Sequence, residues 1–455
     1  MAKMTVSQKC CTVNPLKMSQ SIGAALAFMG VHNAMPLLHG AQGCTSFGLV
    51  LFVRHFREAI PMQTTAMSEV ATVLGGFENV EQALVNITGR AKPAFIGICT
   101  TGISEIKGDD IRGFLKTIRA THPELNPIAL VDVSTPDFEG AFQDGWAAAV
   151  TRMIEELVEV PLLASQPAKQ INVLPGCYVT PGDIDELRDI IESFGLDPIF
   201  LPDLSGSLDG HIPEEFSPTT MGGITLDQIR RMGSSICTIA IGEQMRGAAI
   251  TLEHRTRVPY RLFERLTGLT VNDALMSFLS GISGVAVPRK YRRQRGQLVD
   301  AMLDGHFYFG GKRVAIAAEP DLLSAVAQWL CEMGCEIQVA VTTTQSPTLE
   351  RITAEEIVLG DLEDLEMRAA GADLMVTHSH GRQAAERLNI PLFRIGMPIF
   401  DRLGANHQVT VGYRGTRDLI FEIGNIFLAN AHEPTPASWM RADADAQPCA
   451  SAAMQ

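Results

Sequence analysis

Short uninterrupted apolar runs alternate along this chain with longer stretches whose apolar residues recur at helical spacing, and the alternation repeats in three blocks. Apolar runs of about four to eight residues read as strands covered on both faces, and their alternation with helices reads as parallel α/β structure. In the first block, 21–30 predicts a helix, 93–99 a buried strand, about 109–118 a helix, 127–133 a strand and 141–158 a helix. In the second, 171–174 and 198–201 predict strands flanking a helix that Thr180 caps, Pro181 opens and Gly195 ends; 237–242 predicts a further strand. In the third, 314–317, 335–341 and 374–377 predict strands and 321–333 a helix. Residues 287–307 read as one long charged helix between the second and third blocks. The blocks divide the chain into domains over 1–168, 169–305 and 306–433. Residues 434–455, rich in Ala, Pro, Ser and Asp, read as a disordered tail.

Composition narrows the function classes. The chain has 455 residues, of which 46% are hydrophobic, so it has material for large cores. Its 37 basic and 51 acidic residues give a net charge of −14, which argues against a nucleic-acid partner. The basic run Arg289-Lys290-Tyr291-Arg292-Arg293-Gln294-Arg295 is short and reads as a solvated helix face. No run reaches the roughly 20 apolar residues of a membrane span. Nine scattered cysteines are too sparse for a disulfide framework and read as reduced thiols of a cytoplasmic protein.

Motifs for ordinary catalysis are absent. No G-x-G-x-x-G follows a strand, and no G-x-x-x-x-G-K-[ST] occurs. Asp203-Leu204-Ser205-Gly206-Ser207 lies at a strand's carboxyl end, where open sheets bind ligands, but reads as a plain loop. Cys331 and Cys335 read as two small buried thiols, one ending a helix and one opening a strand. Cys10, Cys11 and Cys449 lack metal-ligand spacing, and Cys177 and Cys237 read as packing. His378 and His380 flank a strand end; they form a possible ligand pair, although loop histidines more often bond locally. One thiol stands apart. In His39-Gly40-Ala41-Gln42-Gly43-Cys44, a cysteine follows a glycine in what reads as a polar loop after the apolar run Ala34-Met35-Pro36-Leu37-Leu38. Glycine lets the backbone approach a bulky group, so Cys44 is a candidate metal or cluster ligand. An isolated cysteine is otherwise ordinarily a buried structural residue.

The chain resembles the nitrogenase component 1 family, in its β-type branch, over roughly residues 10–430. The likeness rests on Val13-Asn14-Pro15-Leu16-Lys17, Met35 through Cys44, Arg54-His55-Phe56-Arg57-Glu58, Gln63-Thr64-Thr65-Ala66-Met67, Gly75-Gly76-Phe77-Glu78-Asn79, Thr100-Thr101-Gly102-Ile103-Ser104-Glu105 and Gly396-Met397-Pro398-Ile399-Phe400-Asp401-Arg402. Within the family, Met62 through Met67, Asn172-Val173-Leu174, Asp203 through His211 and Gly360 through Glu366 resemble the branch that forms a scaffold for maturing the iron–molybdenum cofactor. The resemblance implies a fold of three Rossmann-like parallel α/β domains around a central cleft.

It also implies where clusters sit. The family's catalytic β subunit supplies three cysteines to an eight-iron P-cluster. This chain has Met18-Ser19 at the first position, Cys44 at the second and Thr101-Gly102 at the third. Cys99 is close to the third position but sits on the preceding strand. A P-cluster is therefore not expected. The branch instead implies a [4Fe-4S] cluster shared with an α-like partner, NifE, in a heterotetramer with two copies of each chain. Cys44 is then this chain's one ligand to it. A FeMo-cofactor precursor held mainly by that partner, a precursor donor, NifB, and docking of the nitrogenase iron protein, NifH, are implied in the same way. Arg54-His55-Phe56-Arg57-Glu58 is a candidate interface patch, with an ordinary exposed helix end as the alternative. Two other readings remain open: a divergent catalytic β subunit, against which the missing cysteines count, and a nucleotide-binding α/β enzyme, against which the missing phosphate loops count.

Overall fold

The computed structural model describes residues 3–9, 11–12, 14–160, 169–212 and 214–430. Among the described residues three separate sheets form, and every ladder in them is parallel. The first runs Gln63–Thr64, Ala34–His39, Phe95–Thr100, Ala129–Val133 in spatial order. The second runs Asp197–Phe200, Gln170–Leu174, Thr238–Ile241, Tyr260–Phe263. The third runs Lys3–Val6, Glu356–Leu359, Glu336–Thr342, Arg313–Ala317, Leu374–Thr377, Leu392–Arg394. Helices cover the central strands on both faces, as uniformly apolar strands demand. In the first sheet Leu37, Ile96 and Ile98 join one core layer with Val80 and Leu84, while Leu38, Phe95 and Cys99 join a larger core on the other face. That larger core is continuous through all three sheets.

Helix Pro181–Glu192 begins as its sequence dictates, with Asp183 donating its N–H to Thr180 Oγ1 at 3.0 Å and Pro181 in the first turn. The long charged helix is Arg289–Phe309. Helix Gln20–Met29 is buried along its whole length and packs against Phe142–Leu157. Two glycines set that approach: a Cβ on Gly23 would lie 1.9 Å from the Phe142 carbonyl oxygen, and one on Gly145 would lie 1.8 Å from that of Gln20.

Some elements lie outside the sequence pattern. Lys3–Val6 is an exposed edge strand of the third sheet, paired with Glu356–Leu359. A short helix, Gly102–Lys107, precedes helix Ile111–Thr121. The stretch 434–455, Cys10 and Cys449 fall outside the described residues, as does the expected domain boundary at 168.

Candidate metal centre

The strand Ala34–His39 delivers the chain to the region of Cys44. His39, fully buried, closes it: the ring pairs Nδ1 with Thr65 Oγ1 at 3.0 Å and Nε2 with Asp109 Oδ2 at 3.1 Å. Its carbonyl accepts hydrogen bonds from Thr101 Oγ1 at 3.0 Å and Ser104 Oγ at 3.1 Å. Gly40 then passes so close to Thr101 that a Cβ would sit 2.5 Å from Oγ1, which explains glycine at that position. These contacts tie the first turn after the strand to the helix that starts at Gly102.

Cys44 is not in a loop. Helix Gln42–Phe56 starts two residues earlier, capped by Ala41 in extended conformation, so Cys44 is its third residue. Gly43, next to Cys44 in the chain, is exposed, and a Cβ on Gly43 would meet no atom within 4 Å. The helix N-terminus favours a thiolate there. Partial burial and the nearby Asp137 carboxylate act against it and raise the Cys44 pKa. A thiol so placed becomes a strong ligand once a metal supplies the missing positive charge.

The other expected positions separate from Cys44 in chemistry. Met18 packs against the core and borders a cavity. Ser19 is the N-cap residue of Gln20–Met29. Gly102 opens its short helix and donates its N–H to Asp137 Oδ2 at 3.0 Å. Cys99 is fully buried on a central strand between Leu38 and Val133, and burial pushes its thiol far up. It faces core, not the surface that Cys44 faces. Cys237 and Cys335 are likewise buried, with pKa values raised to about 11 and about 12 by burial. His378 and His380 sit in the turn Ser379–Gly381 with rings 5.2 Å apart. His378 Nδ1 accepts from the His380 N–H at 3.3 Å, and burial pushes its pKa down to about 3. Among the described residues no group of three or more His, Cys, Asp or Glu is placed to hold a metal ion. Cys44 thus belongs to no ready-made metal site among the described residues.

Around Cys44 the surface is unusually apolar. Phe47, Val50 and Val53 of its own helix are exposed, Phe47 by 61%. Val70, Val73 and Leu74 are exposed on helix Glu69–Leu74, which buries none of its residues. Ile103 and Ile106 are exposed on helix Gly102–Lys107, which packs against Glu69–Leu74, and Phe138 is exposed beside Asp137, the carboxylate near Cys44. A patch of this kind marks a contact site. Sequence reasoning missed it, although the run Phe47-Gly48-Leu49-Val50-Leu51-Phe52-Val53 is apolar on every face, a sign that both faces are covered.

The segment Arg54-His55-Phe56-Arg57-Glu58 closes helix Gln42–Phe56 with Arg54 and Arg57 exposed, and its side chains also bond within the chain. The Arg54 guanidinium stacks 3.8 Å over Phe400. His55 Nδ1 accepts from Ile399 N–H at 2.9 Å, and Arg57 donates to the Phe400 carbonyl at 3.3 Å. Glu58 accepts from Gly210 N–H at 2.5 Å. These bonds clamp the first block to the second and third.

Comparison with known proteins agrees with this architecture. A family model described as nitrogenase component 1 type oxidoreductase matches residues 19–428. The chain belongs to that family. A member from Bradyrhizobium diazoefficiens (strain USDA 110), named nitrogenase iron-molybdenum cofactor biosynthesis protein NifN, is 62% identical over 446 residues, covering 96% of this chain and 95% of that protein. A protein of the same name from Nostoc sp. (strain PCC 7120) is 50% identical over 428 residues, covering 94% of this chain and 96% of that one. A chain of the solved structure titled "Nitrogenase Cp1 at pH 6.5" superposes with a TM-score of 0.89 at 31% identity, covering 95% of this chain and 97% of that chain. The three-sheet architecture expected from the sequence is therefore that of nitrogenase component 1. No helix among the described residues is long and apolar enough to cross a membrane.

Proposed function

We propose that this nitrogenase component 1 type chain is the β-like half of a scaffold on which the iron–molybdenum cofactor is matured before transfer. Its relatives' names support the cofactor-assembly role. The observation that carries the finer reading is the placement of Cys44: one half-buried thiol at a helix N-terminus, next to an exposed glycine, on a helix with exposed apolar side chains. A [4Fe-4S] cluster takes four protein ligands. Cys44 fits as one of them, and an α-like partner, NifE, covering the Val50 and Val73 surface would contribute the rest. Held there by Cys44 and the partner's ligands, such a cluster would supply one-electron chemistry at the interface. With methionine and glycine where the catalytic β subunit has cysteines, the chain does not hold a P-cluster and does not reduce dinitrogen.

The cavity where the three sheets meet measures about 110 Å³, less than the roughly 150 Å³ that admits a benzene molecule, so an iron–sulfur precursor of several metal atoms does not fit inside it. The partner as main holder of the precursor belongs to the same reading. Receipt of the precursor from NifB and docking of the iron protein NifH belong to the same reading, with two copies of each chain in the assembly and the cytoplasm as its site.

Cys44→Ala, co-expressed with the partner, tests the ligand. Iron content and the EPR signal of the reduced complex should fall while the circular dichroism stays unchanged; Cys44→Ser should keep part of the signal. Cys177→Ala should leave iron unchanged and cost about 1 kcal/mol of stability. An unaltered [4Fe-4S] signal in Cys44→Ala overturns the assignment.

A further inference from the structure

Three adjacent strands of the first sheet, Ala34–His39, Phe95–Thr100 and Ala129–Val133, send the turns around Cys44 out of their carboxyl ends. Gly40, in the first turn, lies against the Thr101 side chain of the second. Gly102, the next residue, donates its N–H to Asp137 Oδ2 of the third at 3.0 Å. A Cβ on Gly102 would stand 3.2 Å from that oxygen and 3.3 Å from the Asp137 Cβ, so the carboxylate sits directly against the backbone. From there its charge acts on the Cys44 thiol.

The loop that carries Asp137 is fixed from both sides. Thr135 donates its N–H to Thr100 Oγ1 at 2.7 Å and its hydroxyl to the Thr100 carbonyl at 2.6 Å, and both bonds are buried. The Gln20 side-chain amide donates to the carbonyls of Pro136 at 3.2 Å and Glu139 at 2.8 Å. Asp137 itself is exposed, and among the described residues no Lys, Arg or His pairs with it. An exposed carboxylate ordinarily swings in water or finds a cation. This one is held by a pinned loop and a backbone N–H, with its charge unneutralised, near the thiol that fits a cluster.

The potential at which an iron–sulfur cluster accepts an electron follows the net charge and hydrogen bonds around it. That influence grows as a contact surface closes and water leaves. We propose that Asp137 sets the reduction potential of the interface cluster, its fixed carboxylate opposing the added electron and holding the potential low. The inference rests on the scaffold reading, in which Cys44 is the cluster ligand.

The complex of this chain with its α-like partner, reduced stepwise by dithionite with redox mediators and followed by EPR, tests the proposal. Asp137→Asn keeps an oxygen that can accept from the Gly102 N–H and removes the charge. Its iron content and unfolding temperature should match the parent's, while its midpoint potential should move to more positive values. Asp137→Ala, which gives up the bond as well, should show a shift of the same sign, so the outcome does not hang on one variant. Asp137→Glu, which restores the charge, should bring the potential back toward the parent's. An unmoved potential in Asp137→Asn, as expected of a carboxylate that only holds the 101–102 turn, overturns the proposal. So does loss of iron from Asp137→Asn, which would make the residue a ligand, or a shift as large in Asp137→Glu as in Asp137→Asn. Cys44→Ala separates the two readings. A cluster lost in Cys44→Ala but unmoved in Asp137→Asn removes the Asp137 assignment alone. An unchanged cluster in Cys44→Ala, or a parent complex without a [4Fe-4S] signal, removes both.

Discussion

At the residue scale, Cys99 and Cys44 show how position decides chemistry: one lies on a central strand of the first sheet, the other in the first turn of the helix that follows the neighbouring strand. Cys99 is enclosed by strands on both sides and has its pKa driven up by burial, so it acts as a small hydrophobe. Cys99→Ala should cost about 1 kcal/mol in urea unfolding and leave bound iron unchanged; loss of iron would make it a ligand after all. Asp401 gives a pH prediction. Burial pushes its pKa up, but the paired hydrogen bonds from Arg394, at 3.0 Å from Nε and 2.6 Å from Nη2, and the one from Ser379 outweigh this and hold it at about 2. The ionised form is favoured in the folded state, so its contribution is present above the unfolded value of about 4 and is lost as pH falls toward 2. Asp401→Asn should therefore lower the urea midpoint at pH 7. The gap from the parent should narrow as the pH is taken from about 5 to 3. A gap independent of pH would show that the pair contributes by packing alone.

At the element scale, legibility follows how local the cause is. Helix Pro181–Glu192 was readable from Thr180 and Pro181 because a cap is written in adjacent residues. The strand Phe95–Thr100 was readable because its apolar run lies between two layers. Ala34–His39 was visible only as an apolar run, since Pro36 argues against a central strand. The ladder on one side reaches just Leu37 and Leu38, which leaves room for a residue without N–H. Lys3–Val6 could not be read at all: its partner Glu356–Leu359 lies at the far end of the chain, and edge exposure removes the apolar run. Cys44 was picked out as a ligand position, but the helix beginning beneath it was not, because Gly40 and Gly43 mimic a loop. The glycines that matter for packing were equally silent in sequence. Gly145→Ala should cost about 1–3 kcal/mol by forcing the helix pair Gln20–Met29 and Phe142–Leu157 apart. Gly89→Ala, on an exposed helix face with open space around it, should instead stabilise by up to about 1 kcal/mol. Denaturation midpoints of the two variants should move in opposite directions, and equal shifts would contradict the close-approach account.

At the scale of the whole molecule, the surfaces of the three blocks are unequal. The interior is continuous through all three sheets, and Arg54, His55, Arg57 and Glu58 fasten the first block to the others through internal bonds. Fastening on that side leaves the opposite end of helix Gln42–Phe56, with Cys44 and Phe47, facing outward. Exposed apolar side chains on three helical segments of the first block gain nothing for an isolated chain; they weaken its solubility and favour association. The fold therefore gives a mechanical test of the proposed partner that does not involve iron. Replacing Phe47 and Val73 by serine removes apolar area without touching any buried residue, so the unfolding temperature of the chain should stay within a degree or two. Co-purification with the α-like partner should drop, and the chain alone should become more soluble. Phe138→Ser, beside the Asp137 carboxylate that acts on Cys44, should weaken association as well if the contact is centred on Cys44. Full recovery of the complex with Phe47 and Val73 both replaced would place the partner on a different face, and the interface cluster could not then be built on Cys44.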